Sequence, residues 1–252
     1  MLTQQRKQFI LERLANDGQV VAKDLANELA LSEDTIRRDL RELAKEGLLQ
    51  RVDGGALPAS PAIADFAARQ DIATDSKIAI AKTAANMIQD DQVVILDGGT
   101  TNVQLAKHLD KSLKATIVTH SPSVAVELVS HPTVEIILIG GKLYKHSVVT
   151  MGTAALTALA HIQADTYFMG VSGVHVDMGM TTGNIEEAYM KKALSEHAAE
   201  TVVLASAEKL GVASPYVVMP MTEINSLVVE STSSKTEIKL YKKSGVSVVL
   251  AQ

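Results

Sequence analysis

The chain of 252 residues has no cysteine, no tryptophan and only 3% aromatic residues. The first absence excludes disulfides, thiolate metal sites and cysteine nucleophiles together, and it accords with a reducing compartment. The second removes stacking on single-stranded bases as a main binding mode. A basic excess is also missing: 24 Lys and Arg face 29 Asp and Glu, for a net charge of -5. That balance excludes a general nucleic-acid coat protein and confines any DNA affinity to a local patch. No apolar run approaches the roughly 18 residues of a membrane helix. The first apolar stretch is amphipathic and carries Arg6, Lys7, Glu12 and Arg13, so it does not read as a targeting segment, and a soluble cytoplasmic protein without a membrane partner is expected. The seven His show no paired metal spacing and G-x-S-x-G does not occur, so neither a metal nor a serine nucleophile is expected.

What is present begins with three helical stretches. Residues 4–16 turn Phe9, Ile10 and Leu14 inward and stop at Asp17-Gly18, a turn and C-cap signal. Residues 23–29 follow with Leu25, Ala26 and Leu29 on one side. After a break at Ala30-Leu31, Ser32 suits an N-cap, and Glu33 and Asp34 suit the positive end of a helix dipole. Ile36, Leu40 and Leu43 make a buried stripe, which leaves Arg37, Arg38 and Arg41 facing outward. Gly47 closes this helix, residues 48–52 are strand-like, and Asp53-Gly54-Gly55 is a turn. That order is the winged helix-turn-helix, whose third helix enters the major groove while the wing touches backbone or minor groove. The bland alternative is a solvated basic face. Residues 1–56 hold nine Lys or Arg against ten Asp or Glu, so useful affinity is expected to be salt-dependent and to need two copies on two half-sites.

Pro58 and Pro61 mark residues 57–74 as an extended linker that becomes helical near Asp65. Over residues 75–252, helical stretches at 77–88, 102–109, 123–130, 153–160, 185–197 and 235–243 alternate with short Val- and Ile-rich runs. Those runs, at 93–96, 116–118, 134–139, 167–169, 202–205, 227–229 and 246–250, mostly lack polar alternation and read as strands buried on both faces. The expected fold is α/β: a mainly parallel sheet with helices on both sides, carrying ligands where the strands end.

The loops after those strands concentrate chemistry. Asp97-Gly98-Gly99-Thr100-Thr101 joins a strand to a helix, so amides and two hydroxyls meet at a positive helix terminus. It reads either as a phosphate site or as a tight turn; it has neither a P-loop ending nor a dinucleotide fingerprint. Gly140-Gly141-Lys142 gives a second glycine turn with a cation, and Gly170, Ser172 and Gly173 give a third. Three such turns point to a shared anion cleft. Glu187 and Lys191, four residues apart, form either a surface ion pair or part of that cleft.

The wording TIRRDL at Thr35 to Leu40, with Gly47 and Gly54-Gly55 after it, resembles the DeoR family of bacterial transcriptional regulators. DGGTT, Val118-Thr119, Gly140-Gly141, Gly152, the FxGxxG of Phe168 to Gly173, and the later Thr-Thr, Glu and Lys extend the resemblance over almost the whole chain. It implies a winged helix-turn-helix at residues 1–56 and, at 75–252, a sensor domain similar to ribose-5-phosphate isomerase. It also implies a repressor of a carbohydrate operon, released from double-stranded operator DNA by a phosphorylated sugar or related metabolite, acting as a homo-oligomer of dimeric or tetrameric order and using no cofactor. The DNA contacts would come from Ser32, Thr35, Arg37, Arg38, Arg41, Arg51, Gly54 and Gly55. Asp97, Gly98, Gly99, Thr100 and Thr101 would hold the phosphate or neighbouring hydroxyls, and Thr119, Lys142, Glu187, Lys191 and Lys209 would line the rest. Gly140, Gly141, Gly170, Ser172 and Gly173 would supply the cleft's turns. The chain departs from the family at Asp53, where a His is usual, at His120, where an Asn is common, and at Ser206-Ala207-Glu208-Lys209, which replaces Asp-x-Ser-Lys. Two competing readings are a sugar-phosphate isomerase or deaminase with an accessory N-terminal domain, using Asp97, Glu187 and Lys191 as acid-base groups, and a constitutive DNA-bound scaffold with a vestigial cleft.

Overall fold

A computed structural model describes residues 2–60 and 64–252. Helix α1 (Thr3–Asp17) ends where Gly18 turns left-handed and returns its amide to the Leu14 carbonyl. A two-residue strand β1 (Val20–Val21), helix α2 (Ala22–Glu28) and helix α3 (Glu33–Lys45) follow. The Ser32 side chain caps α3 by accepting from the Thr35 amide at 3.3 Å, which stabilises a helix by about 1 kcal/mol. Ile36, Leu40 and Leu43 of α3 pack with Ile10, Leu14 and Leu25 in one small core. Strands β2 (Leu49–Val52) and β3 (Gly55–Pro58) form the wing hairpin. β1 joins it on the β3 side, a pairing too short to leave a sequence signal.

The wing strand runs to Pro58, inside the stretch read as an extended linker, and Pro61 of that stretch lies outside the described residues. Asp65 then caps a short helix α4 (Phe66–Gln70) by accepting from the Ala68 amide, and α5 (Thr74–Ala85) begins the larger domain.

That domain contains β4 (Val93–Leu96), α6 (Thr100–Lys107), β5 (Thr116–Thr119), α7 (Pro122–Leu128) and β6 (Glu135–Leu138). A hairpin of β7 (Lys142–Tyr144) and β8 (Val149–Met151) comes next, then α8 (Thr153–Leu159) and β9 (Ala164–Gly170). β10 (Gly173–His175), β11 (Gly179–Thr182), α9 (Ile185–Glu196), β12 (Ala198–Leu204), β13 (Tyr216–Met219), β14 (Ser226–Glu230), α10 (Lys235–Lys243) and β15 (Ser247–Ala251) complete it. Seven strands make one sheet in the order β15-β14-β12-β9-β4-β5-β6, every pair parallel. Alternate strand residues serve opposite faces, as the pleat requires. Val94, Leu96, Ile117 and Phe168 meet α5, α6 and α7 on one side, while Ile95, Val118, Tyr167 and Met169 meet α8, α9 and α10 on the other. A separate antiparallel sheet, β10-β11-β13, lies outside the main one.

β6 differs from its reading as a strand buried on both faces. It is one of the two edge strands of the sheet, and Ile137 and Leu138 stand exposed because the chain leaves β6 for the β7–β8 hairpin rather than for a covering helix. The strand order reverses at the β9–β4 pair: β5 and β6 extend one way, β12, β14 and β15 the other. In open parallel sheets that reversal opens a crevice at the carboxyl ends of the strands.

Candidate DNA-reading surface and ligand cleft

On the small domain, Arg37, Arg38 and Arg41 lie exposed along α3, and Arg51 lies exposed on β2. Arg37 donates to Glu33 one turn earlier, Arg41 Nε donates to the Arg37 carbonyl at 3.3 Å, and Thr35 shares a hydroxyl bond of 2.9 Å with Ser32. A surface groove runs between α3 and the wing, lined by Arg37, Arg51, Asp53 and Gly54. Gly55 belongs to the packing rather than to this surface: it is buried, and a side chain there would meet the Val20 carbonyl. Arg6 is also no part of a basic face, because it is buried against Asp39.

On the large domain the crevice between β4 and β9 is occupied from below by Asp97, which is fully buried. Its Oδ1 accepts from the Gly98 amide at 2.7 Å and from His120 Nε2 at 2.8 Å; its Oδ2 accepts from the Gly170 amide at 2.9 Å and from the Lys191 ammonium. Burial alone would raise this carboxyl, but the Lys191 charge and the His120 ring outweigh it and hold Asp97 well below the usual carboxylate range. Burial and the Asp97 charge push the neighbouring Tyr167 hydroxyl well above its ordinary value. Asp97 therefore ties the end of β4 to β5, β9 and α9 at once. Gly170 is small of necessity, since a Cβ there would come within 2.8 Å of the Gly98 carbonyl oxygen.

Above Asp97 lies a cleft of about 570 Å³, the open solvent at its mouth included. The structure brings together in it Gly98, Gly99, Thr100, Thr101, Gly170, Ser172, Glu187, Lys191 and Lys209 of the residues singled out from the sequence. Others sit elsewhere. Thr119 is buried with its hydroxyl on the Leu96 carbonyl at 2.7 Å, and Gly173 packs against the Val212 carbonyl. Gly140, Gly141 and Lys142 are exposed beyond the lining of the cleft, because β6, which precedes them, is the far edge of the sheet and not a strand at the reversal. Sequence reasoning missed Arg69, Ile72, Lys77 and Ser147, which also line it. Arg69 and Ile72 fall in the stretch read as linker, and Lys77 follows it on the next helix, so no local pattern marked them.

Glu187 accepts from the Thr182 hydroxyl at 2.8 Å and lies 3.8 Å from Lys191, so this helix pair is buried in the cleft and is not a surface ion pair. Burial lowers Arg69 and Lys77 from their ordinary values, and it brings Lys209 down to about 8, helped by repulsion from Lys77, Arg69 and Lys191 against the pull of Glu208. Two buried oxygens beside the loop, Thr101 Oγ1 and Asn102 Oδ1, have no hydrogen-bond partner among the described residues. Among the described residues no group of His, Asp or Glu is arranged to hold a metal, and no helix is long and apolar enough to cross a membrane.

A winged helix-turn-helix joined to a parallel-sheet domain with a polar cleft defines a ligand-sensing DNA-binding regulator as the class. The DeoR-like helix-turn-helix model matches residues 6–61 and the DeoR C-terminal sensor domain model matches residues 72–231, so the chain belongs to the DeoR family. It is 32% identical to the HTH-type transcriptional regulator GlpR of Haloferax volcanii, over 99% of this chain and 98% of that protein. It is 29% identical to the HTH-type transcriptional repressor GlcR of Bacillus subtilis, over 100% and 98%. Among solved structures, ribose 5-phosphate isomerase A of Methanocaldococcus jannaschii aligns over 54% of each chain at 19% identity and a TM-score of 0.41. The protein is a DNA-binding transcription regulator and not an enzyme, which removes the isomerase or deaminase reading.

Proposed function

We propose that this regulator is a repressor of a carbohydrate-metabolism operon in the cytoplasm. Two or four copies hold operator DNA through paired α3 helices, and a phosphorylated sugar bound in the cleft lowers their operator affinity. The observation that carries this reading is the cleft itself: the Gly98–Gly99 turn, Thr100, Thr101 and Ser172, and the four cations Arg69, Lys77, Lys191 and Lys209 line one cavity at the reversal of a parallel sheet. Such a set suits a polyhydroxylated, anionic ligand of small size. Ser32, Thr35, Arg37, Arg38, Arg41, Arg51 and Gly54 serve as the DNA-contacting set. Coupling is a population shift, in which ligand favours an arrangement whose two reading helices no longer match successive major-groove turns.

The test combines a thermal-shift screen of the intact protein against sugars and their phosphates with gel shifts on duplexes selected from a random pool. A ligand at 100 times its dissociation constant adds about 2.7 kcal/mol of stability. The reading expects hits confined to phosphorylated compounds, and release of the selected duplex by those hits. Hits confined to unphosphorylated sugars, or tighter DNA binding with ligand, would overturn it.

A further inference from the structure

The cations of the cleft are not equivalent. Lys191 is neutralised by Asp97 and lies beside Glu187. Arg69, Lys77 and Lys209 have no carboxylate within ion-pair distance among the described residues. Arg69 spends two N–H groups on backbone carbonyls, Asp65 at 3.3 Å and His146 at 3.4 Å, which leaves the other donors of its fork open. Lys77 is only 2% exposed and donates to the Arg69 backbone carbonyl. Glu208, which attracts Lys77 and Lys209 without an ion-pair contact, accepts from the Ser206 hydroxyl at 2.6 Å. Three cations sharing a cleft repel one another, and Glu208 and Glu187 draw on them only from beyond ion-pair distance, so no paired contact offsets their partial withdrawal from water. Thr101, whose buried hydroxyl has no partner among the described residues, belongs to the same lining. A doubly charged group with several acceptor oxygens satisfies all of these at once. A single carboxylate does not.

We propose that Arg69, Lys77 and Lys209 form the phosphate subsite of this cleft, a placement that rests on the sugar-phosphate reading above. The sugar then extends over Gly98–Gly99 toward Glu187 and Lys191. Arg69 gives the subsite a further consequence, because α4 belongs to the segment that enters the sensor from the wing. That segment touches the cleft at a second place, where the Ser60 hydroxyl donates to the carbonyl of Ser172, and the Phe66 amide is held by the His146 carbonyl at 2.9 Å. A phosphate gripped by Arg69 therefore ties the tether of the DNA-binding domain to the sensor sheet.

The experiment uses the full chain as wild type, R69K, R69Q and K209Q, at constant ionic strength, with inorganic phosphate and a panel of sugar phosphates as probes in thermal-shift and calorimetric titrations. Phosphate is expected to stabilise the wild type, and its affinity to fall tenfold or more in R69Q and K209Q, with R69K between, since a point charge replaces a bidentate fork. If R69Q fails to fold, R69K and K209Q carry the comparison. Equal affinity of wild type, R69K and K209Q for phosphate and for the panel overturns the subsite while leaving the sugar-phosphate reading in place. Phosphate binding lost in the variants, with no panel member binding the wild type, supports the subsite and overturns the sugar. No response of the wild type to any probe overturns both.

Discussion

Arg6 Nη2 donates to Asp39 Oδ1 at 3.0 Å while its Nε donates to Oδ2, a fork-to-carboxylate pair closed from water between α1 and α3. Asp39 lies in the middle of the reading helix, between Arg38 and Leu40, so the helix that carries the exposed arginines is fixed in rotation by a charge on its opposite side. Removing one partner leaves the other buried and uncompensated, a loss of about 3 to 5 kcal/mol. Arg6→Ala and Asp39→Ala are expected to lower the urea midpoint by that order, and an Arg6→Met, Asp39→Leu double variant to lose much less than the sum. Losses that simply add in a double-mutant cycle would show that the two residues act independently.

Arg38 is exposed and has no bonded partner among the described residues, and Arg37 has only its exposed pair with Glu33, worth a few tenths of a kcal/mol. Arg38→Ala should therefore leave stability within about 0.5 kcal/mol while weakening DNA binding. If Arg38 meets a phosphate, the slope of log affinity against log salt falls by about one. Wild-type affinity for a selected duplex would remove Arg38 from the interface.

The wing supplies a contrast between adjacent glycines. A Cβ at Gly55 would stand 1.9 Å from the Val20 carbonyl oxygen, which no rotamer relieves, whereas Gly54 faces open space with φ +73°. Gly54→Ala is expected to cost about 1 kcal/mol through its left-handed backbone. Gly55→Ala should cost several times more, because β1 must separate from β3, and thermal denaturation of the two variants reads the difference. Equal costs would mean that β1 does not hold the wing.

These residues also show what could be read from the sequence. The helix-turn-helix was legible because Ile36, Leu40 and Leu43 repeat at a helical period and Ser32 marks the start, and the sheet because its strands are unbroken apolar runs. Gly55 and Gly54 look alike in sequence, and only the pairing of β1 separates a packing glycine from a turn glycine. Arg6 reads as a surface cation until the fold places Asp39, 33 residues away, against it. The cleft was half legible: DGGTT announces itself by its position after a strand, while Gly140-Gly141-Lys142 follows an equally apolar run that proves to be the sheet edge. Arg69 and Lys77 carry no local signal, since what makes them notable is the lack of a counter-charge in three dimensions.

Lys209 predicts a pH dependence with two opposite signs. Its folded value of about 8 lies below its ordinary 10.5, so between those values the unfolded chain binds the extra proton. Stability from this group should therefore rise as pH increases through that window, because stability grows wherever the unfolded state holds more protons. Anion affinity should move the other way, falling as the ammonium loses its charge above about pH 8. Calorimetric titration of phosphate at several pH values checks this, with K209Q as the control in which the extra fall above pH 8 is absent. An identical pH profile in K209Q would assign the effect to another group.

His120 stands where the family commonly has Asn, and its ring spans two partners: Nε2 reaches Asp97 Oδ1 at 2.8 Å and Nδ1 reaches the Thr150 carbonyl at 2.8 Å. It thus connects the carboxylate under the cleft to β8 of the outer hairpin. An Asn side chain is shorter and offers its donors from a single nitrogen, so His120→Asn can keep the bond to Asp97 only by giving up Thr150. The loss is one buried hydrogen bond, about 1 to 3 kcal/mol with the carbonyl left unpaired. His120→Leu forfeits both and leaves Asp97 with Lys191 and two amides alone, so it should be the less stable of the two and the weaker in binding any ligand that rests on Lys191. Thermal melts with and without a phosphorylated hit separate the contributions: H120N should melt lower than wild type yet keep most of the ligand-induced shift, and H120L should lose part of both. Equal melting of H120N and H120L would mean that the bond to Asp97 contributes nothing, and the carboxylate would then be held by Lys191 and the backbone.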